Sequence, residues 1–146
     1  MITYSEKINV SIDQVWKHLV HKIKYPENFV PGVSNVYIKE ETDNFVIREM
    51  DIQQVDGQKF RLTEKITQGP YCVKFEILEH PIYEGYVDNT IEKISETQSE
   101  ITFSLLWKHK ESGEIFNNQE LVKNAVIKTI KYIIESKTIE TDIKIA

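Results

Sequence analysis

The chain has 146 residues, of which 40% are hydrophobic and 28% charged, and this balance predicts one globular domain over residues 1–146 with a single core. A formal net charge of -5 without any basic run argues against binding to nucleic acid, which depends on phosphate contacts. The single cysteine, Cys72, and the absence of a long apolar run or a secretory signal predict a cytoplasmic protein without membrane insertion.

The N-terminal segment predicts a strand followed by a helix. Apolar and polar residues alternate over Ile2–Val10, which is typical of a strand. Ser11 is a candidate N-cap for an amphipathic helix over Ile12–Tyr25, whose apolar residues recur at helical spacing. Pro26 ends this helix, and Glu27–Val30 predicts one further helical turn.

The rest of the chain predicts six strands and a long final helix. The strands are Val33–Glu41, Asn44–Gln53, Gln58–Thr67, Tyr71–Glu79, Glu84–Ser95 and Glu100–Lys110. Short turns rich in glycine, proline and polar residues join them, so neighbouring strands run antiparallel. Asn118–Lys137 has apolar residues at helical spacing. The fold class is therefore α+β: a curved antiparallel sheet of about seven strands around a long C-terminal helix, with two short helices after the first strand.

Three motifs resemble those of a known family. They are Val15-Trp16-Lys17-His18-Leu19-Val20, Pro26-Glu27-Asn28-Phe29-Val30-Pro31-Gly32-Val33 and Arg48-Glu49. With the order of the elements, they resemble the AtaL-like family of the helix-grip superfamily, which includes START domains and the birch pollen allergen and is often called SRPBCC. The resemblance covers the whole chain. It implies an internal cavity, between sheet and final helix, for a hydrophobic or aromatic small molecule, and it leaves the biochemical activity undefined.

The best candidate site pairs an arginine with a glutamate across a hairpin. Only Arg48 and Arg61 are arginines among the 18 basic residues, which marks each as a position that favours a multi-donor cation. The turn at Asp56-Gly57 joins two strands so that Arg48 lies opposite Glu64, on a face that is otherwise apolar. This pair is a polar anchor for a ligand carbonyl or hydroxyl, a structural ion pair, or a pair on the exposed side of the sheet.

Period-two apolar residues predict the wall of the cavity. The strand Glu84–Ser95 is ambiguous, and we assign its Asn89 face inward. Besides Arg48 and Glu64, the cavity candidates are Met50, Phe60, Leu62, Tyr71, Phe75, Asn89, Phe103, Trp107, Val126 and Ile130. Aromatic stripes at this spacing are also ordinary core residues, so either role fits them.

The histidines and the cysteine predict no catalytic or metal site. His18 and His21 lie on the side of the first helix away from its apolar stripe, with no third ligand nearby. His80 falls in a turn without a partner identifiable by spacing, and Cys72 has no cationic activator beside it. The sequence holds no phosphate-binding glycine loop, nucleophile elbow or His-Glu metal motif. We expect neither a cofactor nor a metal ion.

Three functions remain open from the sequence. The first is binding of a hydrophobic or aromatic small molecule, lipid-like or polyketide-like, without catalysis. The second is a polyketide cyclase or aromatase in which Glu64 is the general acid or base and Arg48 polarises a carbonyl. The third is a co-chaperone-like protein-interaction module, which predicts an exposed apolar patch and a collapsed interior. The ligand, the oligomeric state and the pathway stay open.

Overall fold

The computed structural model describes residues 1–145, with side chains for residues 1–136. The strands are β1 Ile2–Ile8, β2 Val33–Glu41, β3 Phe45–Gln53, β4 Lys59–Gly69, β5 Cys72–Glu79, β6 Tyr83–Ser95 and β7 Gln98–His109. The helices are α1 Ile12–Lys24 and α2 Gln119–Ile145, and a single 3₁₀ turn occupies Pro26–Asn28. The strand ends differ from the predicted ones by the one or two residues over which such boundaries ordinarily vary.

All seven strands form one antiparallel sheet in the order β1-β7-β6-β5-β4-β3-β2. Strands β2 to β7 are joined consecutively as hairpins, and β1 completes the sheet by pairing with β7. The predicted antiparallel architecture is therefore confirmed.

One face of the sheet, here called the inner face, is covered by α1 and α2. The two helices make their main sheet contacts with β1, β6 and β7. Alternate residues of β3 to β7 are buried on this face, as the period of two requires. On the three central strands β4, β5 and β6, the buried inner residues are Leu62, Glu64, Ile66, Val73, Phe75, Asn89 and Ile91.

Helix α1 has the N-cap and the buried apolar stripe that its sequence predicts. The Ser11 hydroxyl accepts a hydrogen bond from the backbone N–H of Gln14, which satisfies a free donor of the first turn. Val15 and Leu19 are fully buried. The helix ends at Lys24, one residue before the predicted end, because the residue that precedes Pro26 is disfavoured in helical conformation.

Helix α2 packs a narrow apolar stripe against β1 and β7. Its buried residues are Val122, Val126, Thr129 and Ile133, which recur at helical spacing. The helix extends to Ile145 instead of ending at Lys137, because no glycine or proline follows Lys137 to interrupt it. Within the described residues, neither helix combines the length and the apolar character of a membrane span.

Candidate functional site

A buried ion pair joins β3 to β4 on the inner face. Arg48 and Glu64 are Cα partners in the antiparallel ladder. The Nη2 atom of Arg48 donates to Oε1 of Glu64 at 2.6 Å, and the side chains are 2% and 6% exposed. Two charges are tolerated away from water when each neutralises the other. The predicted pairing is confirmed, and the structure decides in favour of the inner face. A ligand-binding role for the pair stays a prediction.

The same guanidinium holds the C-terminal end of α1. Nη1 of Arg48 donates to the backbone oxygen of Ile23 at 2.8 Å and to that of Lys22 at 3.3 Å. Carbonyls in the last turn of a helix have no donor within the helix, and they carry its partial negative charge. Arg48 therefore serves three acceptors and fixes α1 to the sheet. Its Nε atom is buried without a hydrogen-bond partner.

Lys22 is the functional candidate that sequence reasoning missed. Its side chain is buried on the inner face, where Nζ donates to Oδ1 of Asn89 at 2.8 Å. The ammonium also lies 4.4 Å from the ring centre of Phe103 and 5.2 Å from that of Phe75. Burial, and then the charge of Arg48, lower the pKa of Lys22 to about 7, while Glu64 opposes this shift.

The signal for Lys22 was present in the helix pattern. Val15, Leu19 and Ile23 form the apolar stripe of α1, and Lys22 occupies the position beside Ile23 on the same stripe. A lysine in such a position is ordinarily taken to extend its charge to the surface, because long side chains can bury their stems alone. Here the ammonium of Lys22 stays buried instead, because β6 places the side-chain amide of Asn89 next to it.

Asn89 lies at the centre of the sheet with no exposed surface. Its neighbours in the ladder are Val73 on β5 and Phe103 on β7, so its carboxamide projects among apolar side chains. Oδ1 accepts from Lys22, whereas Nδ2 is buried without an acceptor. The inward assignment of the ambiguous strand is confirmed.

The ion pair divides the inner face into two regions along β3 and β4. Val46 and Ile66, on one side of the pair, belong to the main hydrophobic cluster. Met50 and Leu62, on the other side, are buried but lie outside that cluster. The polar pair therefore separates a packed core from a second buried apolar region.

An aromatic cluster begins at Phe60, two residues before Leu62 on β4, and its members Trp107 and Phe116 also pack against the main hydrophobic cluster. Its members are Phe60, His80, Tyr83, Trp107 and Phe116, with ring centres 4.6 to 5.7 Å apart in successive pairs. The Nδ1 atom of His80 accepts from the backbone N–H groups of Ile82 and Tyr83, each at 3.0 Å. Burial, and then the charge of Lys110, lower the pKa of His80 to about 4. The indole Nε1 of Trp107 is buried without an acceptor.

The other candidates divide into inner-face residues and one correction. Phe75, Phe103 and Val126 are buried in the main cluster, and Ile130 packs against it. Tyr71 is not part of the inner wall. It precedes β5 at φ +56°, in the two-residue turn that joins Gly69 to Cys72, and Pro70 at the first turn position favours a turn of this kind. Its hydroxyl donates to Asp13 at the surface.

Two open depressions, of about 350 and 440 Å³, lie away from the inner face. The first is on the outside of β5, β6 and β7, and the second lies between the end of α1 and the start of β2. Neither contains a predicted site residue or a buried unpaired polar group, so we place the candidate site on the inner face. Among the described side chains, no group of three or more acidic, histidine or cysteine residues is arranged to hold a metal ion.

Solved structures with the same fold define the class. The Zhui aromatase/cyclase from Streptomyces sp. R1128 has a TM-score of 0.69 at 14% identity, over 92% of this chain and 91% of its own. A START superfamily protein from Mycobacterium smegmatis has a TM-score of 0.68 at 9% identity, over 96% and 97%. Human STARD10 has a TM-score of 0.74 at 13% identity, over 96% of this chain and 65% of its own. At these identities the likeness shows the fold alone, which is the helix-grip fold.

The particular family follows from the sequence. A family model described as "AtaL: Acetylaranotin biosynthesis cluster protein L" matches residues 3–139. The chain therefore belongs to the AtaL family. No curated protein has a significantly similar sequence.

Proposed function

We propose that this protein binds a hydrophobic or aromatic small molecule, lipid-like or polyketide-like, on the inner face of its sheet. The observation that carries the proposal is a group of buried donors without acceptors on that face: Arg48 Nε, Asn89 Nδ2 and Trp107 Nε1. Each unmade hydrogen bond of a buried group costs about 1–3 kcal/mol. A ligand that supplies acceptors accounts for these groups, which a closed core would have paired.

The surroundings of these donors are those of a small-molecule site. Such sites combine apolar and aromatic walls with a few convergent polar groups. Phe75 and Phe103 flank the Lys22 ammonium, and Met50 and Leu62 are buried outside the main cluster. The fold that this chain shares with an aromatase/cyclase and a START superfamily protein supports the proposal of a small-molecule site.

Two measurements test this proposal. Native mass spectrometry of the gently purified protein should reveal a co-purifying small molecule. Fluorescence titration with the neutral probe N-phenyl-1-naphthylamine should show binding. Met50→Trp should weaken this binding, because the larger ring fills the second buried apolar region. Ile47→Trp is the matched control, since Ile47 is on the same strand but faces outward. Absence of a bound molecule together with equal titrations for both variants contradicts the proposal.

A second candidate is catalysis of cyclisation or aromatisation of a polyketide-like substrate. It is favoured by one observation, the buried Lys22 with a pKa of about 7, since such a group exchanges protons readily at neutral pH. Lys22 and Glu64 are then the acid–base candidates. Incubation of the protein with a synthetic poly-β-ketone thioester should give an aromatic product that is lost in Lys22→Met.

A further inference from the structure

The inner site, by which we mean the polar groups of Lys22, Arg48, Glu64 and Asn89 with the rings of Phe75 and Phe103, contains more positive charge than negative. Lys22 and Arg48 are cationic and Glu64 is the acidic group that acts on Lys22. The Arg48 guanidinium is 5.4 Å from the ring centre of Phe75, the same ring that the Lys22 ammonium approaches. Both cations therefore face one aromatic side chain, and Glu64 is bonded to only one of them.

The unpaired hydrogen-bonding groups of the site are donors. The Nδ2 atom of Asn89 belongs to the same carboxamide as the oxygen that accepts from Lys22, so this free donor lies next to the ammonium. An ammonium has three N–H donors and no acceptor. The Nε atom of Arg48 adds another buried donor. A ligand group with oxygen acceptors and a negative charge would accept hydrogen bonds from the free donors and balance the excess positive charge. A neutral hydrocarbon would do neither.

We propose that the ligand carries an acidic oxygen group, such as a carboxylate or the enolate of a β-dicarbonyl, which binds against Lys22 and Asn89 beside Arg48. The proposal rests on the proposed function, because it names the chemical class of the ligand held on the inner face. The apolar part of that ligand extends from Phe75 and Phe103 towards Met50 and Leu62, which are buried outside the main cluster. With the anion bound, two negative charges oppose two positive ones in the buried site.

The arrangement predicts that anion binding depends on pH. The groups that face Lys22 are Arg48 on β3, Glu64 on β4, Phe75 on β5, Asn89 on β6 and Phe103 on β7. In the free protein the pKa of Lys22 is about 7, and an adjacent anion raises it. Above pH 7 binding must then be accompanied by proton uptake, so the affinity for an anion decreases as the pH rises.

Two dyes of nearly identical shape test the proposal. 8-Anilinonaphthalene-1-sulfonate and N-phenyl-1-naphthylamine share one skeleton and differ by a sulfonate. The sulfonate dye should bind the wild type more tightly. Lys22→Met keeps the side-chain length and should lower the affinity for the sulfonate dye by about 10- to 100-fold. This is the range expected for loss of a hydrogen bond to a charged group. Binding of the neutral dye should weaken much less, because that dye carries no charge for Lys22 to pair with.

Lys24→Met is the matched control, because Lys24 is on the same helix but contacts Glu41 at the surface. This control variant should leave the affinity for both dyes unchanged. The wild type provides a second readout that requires no variant: the affinity for the sulfonate dye should fall between pH 7 and pH 9, and that for the neutral dye should stay constant.

The outcomes separate the two proposals. If the neutral dye binds as tightly as the sulfonate dye, or if the sulfonate affinity is independent of pH and of Lys22, the acidic-ligand proposal is wrong while the binding function stands. An equal loss in Lys24→Met also overturns it, because the sulfonate is then bound at the surface. If neither dye binds, the proposed function fails and this inference fails with it.

Discussion

The two arginines of the chain lie on the same hairpin, one on each face of the sheet. Arg48 pairs with Glu64 on the inner face, and Arg61 contacts Asp51 and Glu49 on the outer face. Each guanidinium also donates to a backbone carbonyl. Both arginines therefore use the planar, multi-donor guanidinium to reach several acceptors at once, as their rarity in the sequence indicates.

The ion pairs of Arg61 on the outer face provide an internal control for the pair of Arg48 and Glu64 on the inner face. Glu64→Gln removes the counter-charge of a buried guanidinium and should lower the free energy of unfolding by about 3–5 kcal/mol. Asp51→Asn removes a carboxylate from the partly exposed outer pair, where solvent screens the charges, and should lower the free energy of unfolding by only about 1 kcal/mol. Equal midpoints for the two variants would show that Arg48 and Glu64 are not a buried pair in solution.

The double variant Arg48→Met, Glu64→Leu tests the second role of Arg48. Hydrophobic replacement of a buried ion pair is often neutral or stabilising. Here the free carbonyls of Lys22 and Ile23 lose their donor, so the double variant should be more stable than Glu64→Gln but less stable than the wild type. Full recovery in thermal unfolding would mean that the contact between Arg48 and α1 contributes nothing to stability.

Lys22 should make the stability depend on pH. Its pKa is about 7 in the folded protein and 10.5 in the unfolded chain, so between these values the unfolded chain binds more protons. The free energy of unfolding of the wild type therefore rises with pH over this range. Lys22→Met should be more stable than the wild type at pH 6, with the difference shrinking towards pH 10. A difference in urea midpoint that is constant over this range would contradict the burial of Lys22.

At the scale of the elements, the β6–β7 hairpin depends on a glycine where its two strands approach closely. Gly85 lies opposite Trp107 in the ladder and has φ +130°. A Cβ atom at this position would lie 1.9 Å from the backbone oxygen of Leu106. The missing side chain allows close approach of the two strands beside the aromatic cluster.

Gly85→Ala should therefore destabilise the protein by about 2 kcal/mol or more, because the strained backbone and the neighbouring strand must shift. Gly69→Ala is the control, since a Cβ atom there would have no neighbour within 4 Å. Urea unfolding of the two variants measures the difference. Comparable stability of the two would show that the β6–β7 hairpin adapts freely.

At the scale of the whole molecule, the two helices have different tasks. Helix α2 covers the β1 and β7 side of the sheet, whereas the end of α1 is bonded to β3 through Arg48 and to β6 through Lys22. The final helix therefore closes the main core, and the first helix completes the polar site.

Deletion of the chain after Gly113 tests the structural task of α2. Its buried aliphatic side chains each contribute about 1.5–3 kcal/mol. Their sum is comparable to the net stability of a domain, about 5–15 kcal/mol. The truncated chain should be unfolded or aggregated by circular dichroism and gel filtration. A finer comparison is Val126→Asp, at a fully buried position, with Ile127→Asp, at one that is 44% exposed. A cooperative truncated chain, or equal effects of the two aspartates, would contradict this task.

The sequence by itself determined the elements, their order and the pairing of Arg48 with Glu64. Alternation, helical spacing and turn residues are local signals, and a short hairpin turn sets the register of its two strands. The face of Arg48 followed from its apolar neighbours on β3. The left-handed turn at Tyr71 was missed because a strand-like sequence was extended by one residue.

Only the tertiary structure decided where α1 lies over the sheet, and the rest of the site depends on that. Lys22 and Asn89 are 67 residues apart, and Arg48 reaches Ile23 across 25 residues. His80 likewise enters an aromatic cluster assembled from four separate segments of the chain. Periodicity assigns a residue to a face of its own element, but it does not say which groups the opposing element brings to that face. The charge surplus and the unpaired donors of the inner site therefore exist only once the helix and the sheet have packed.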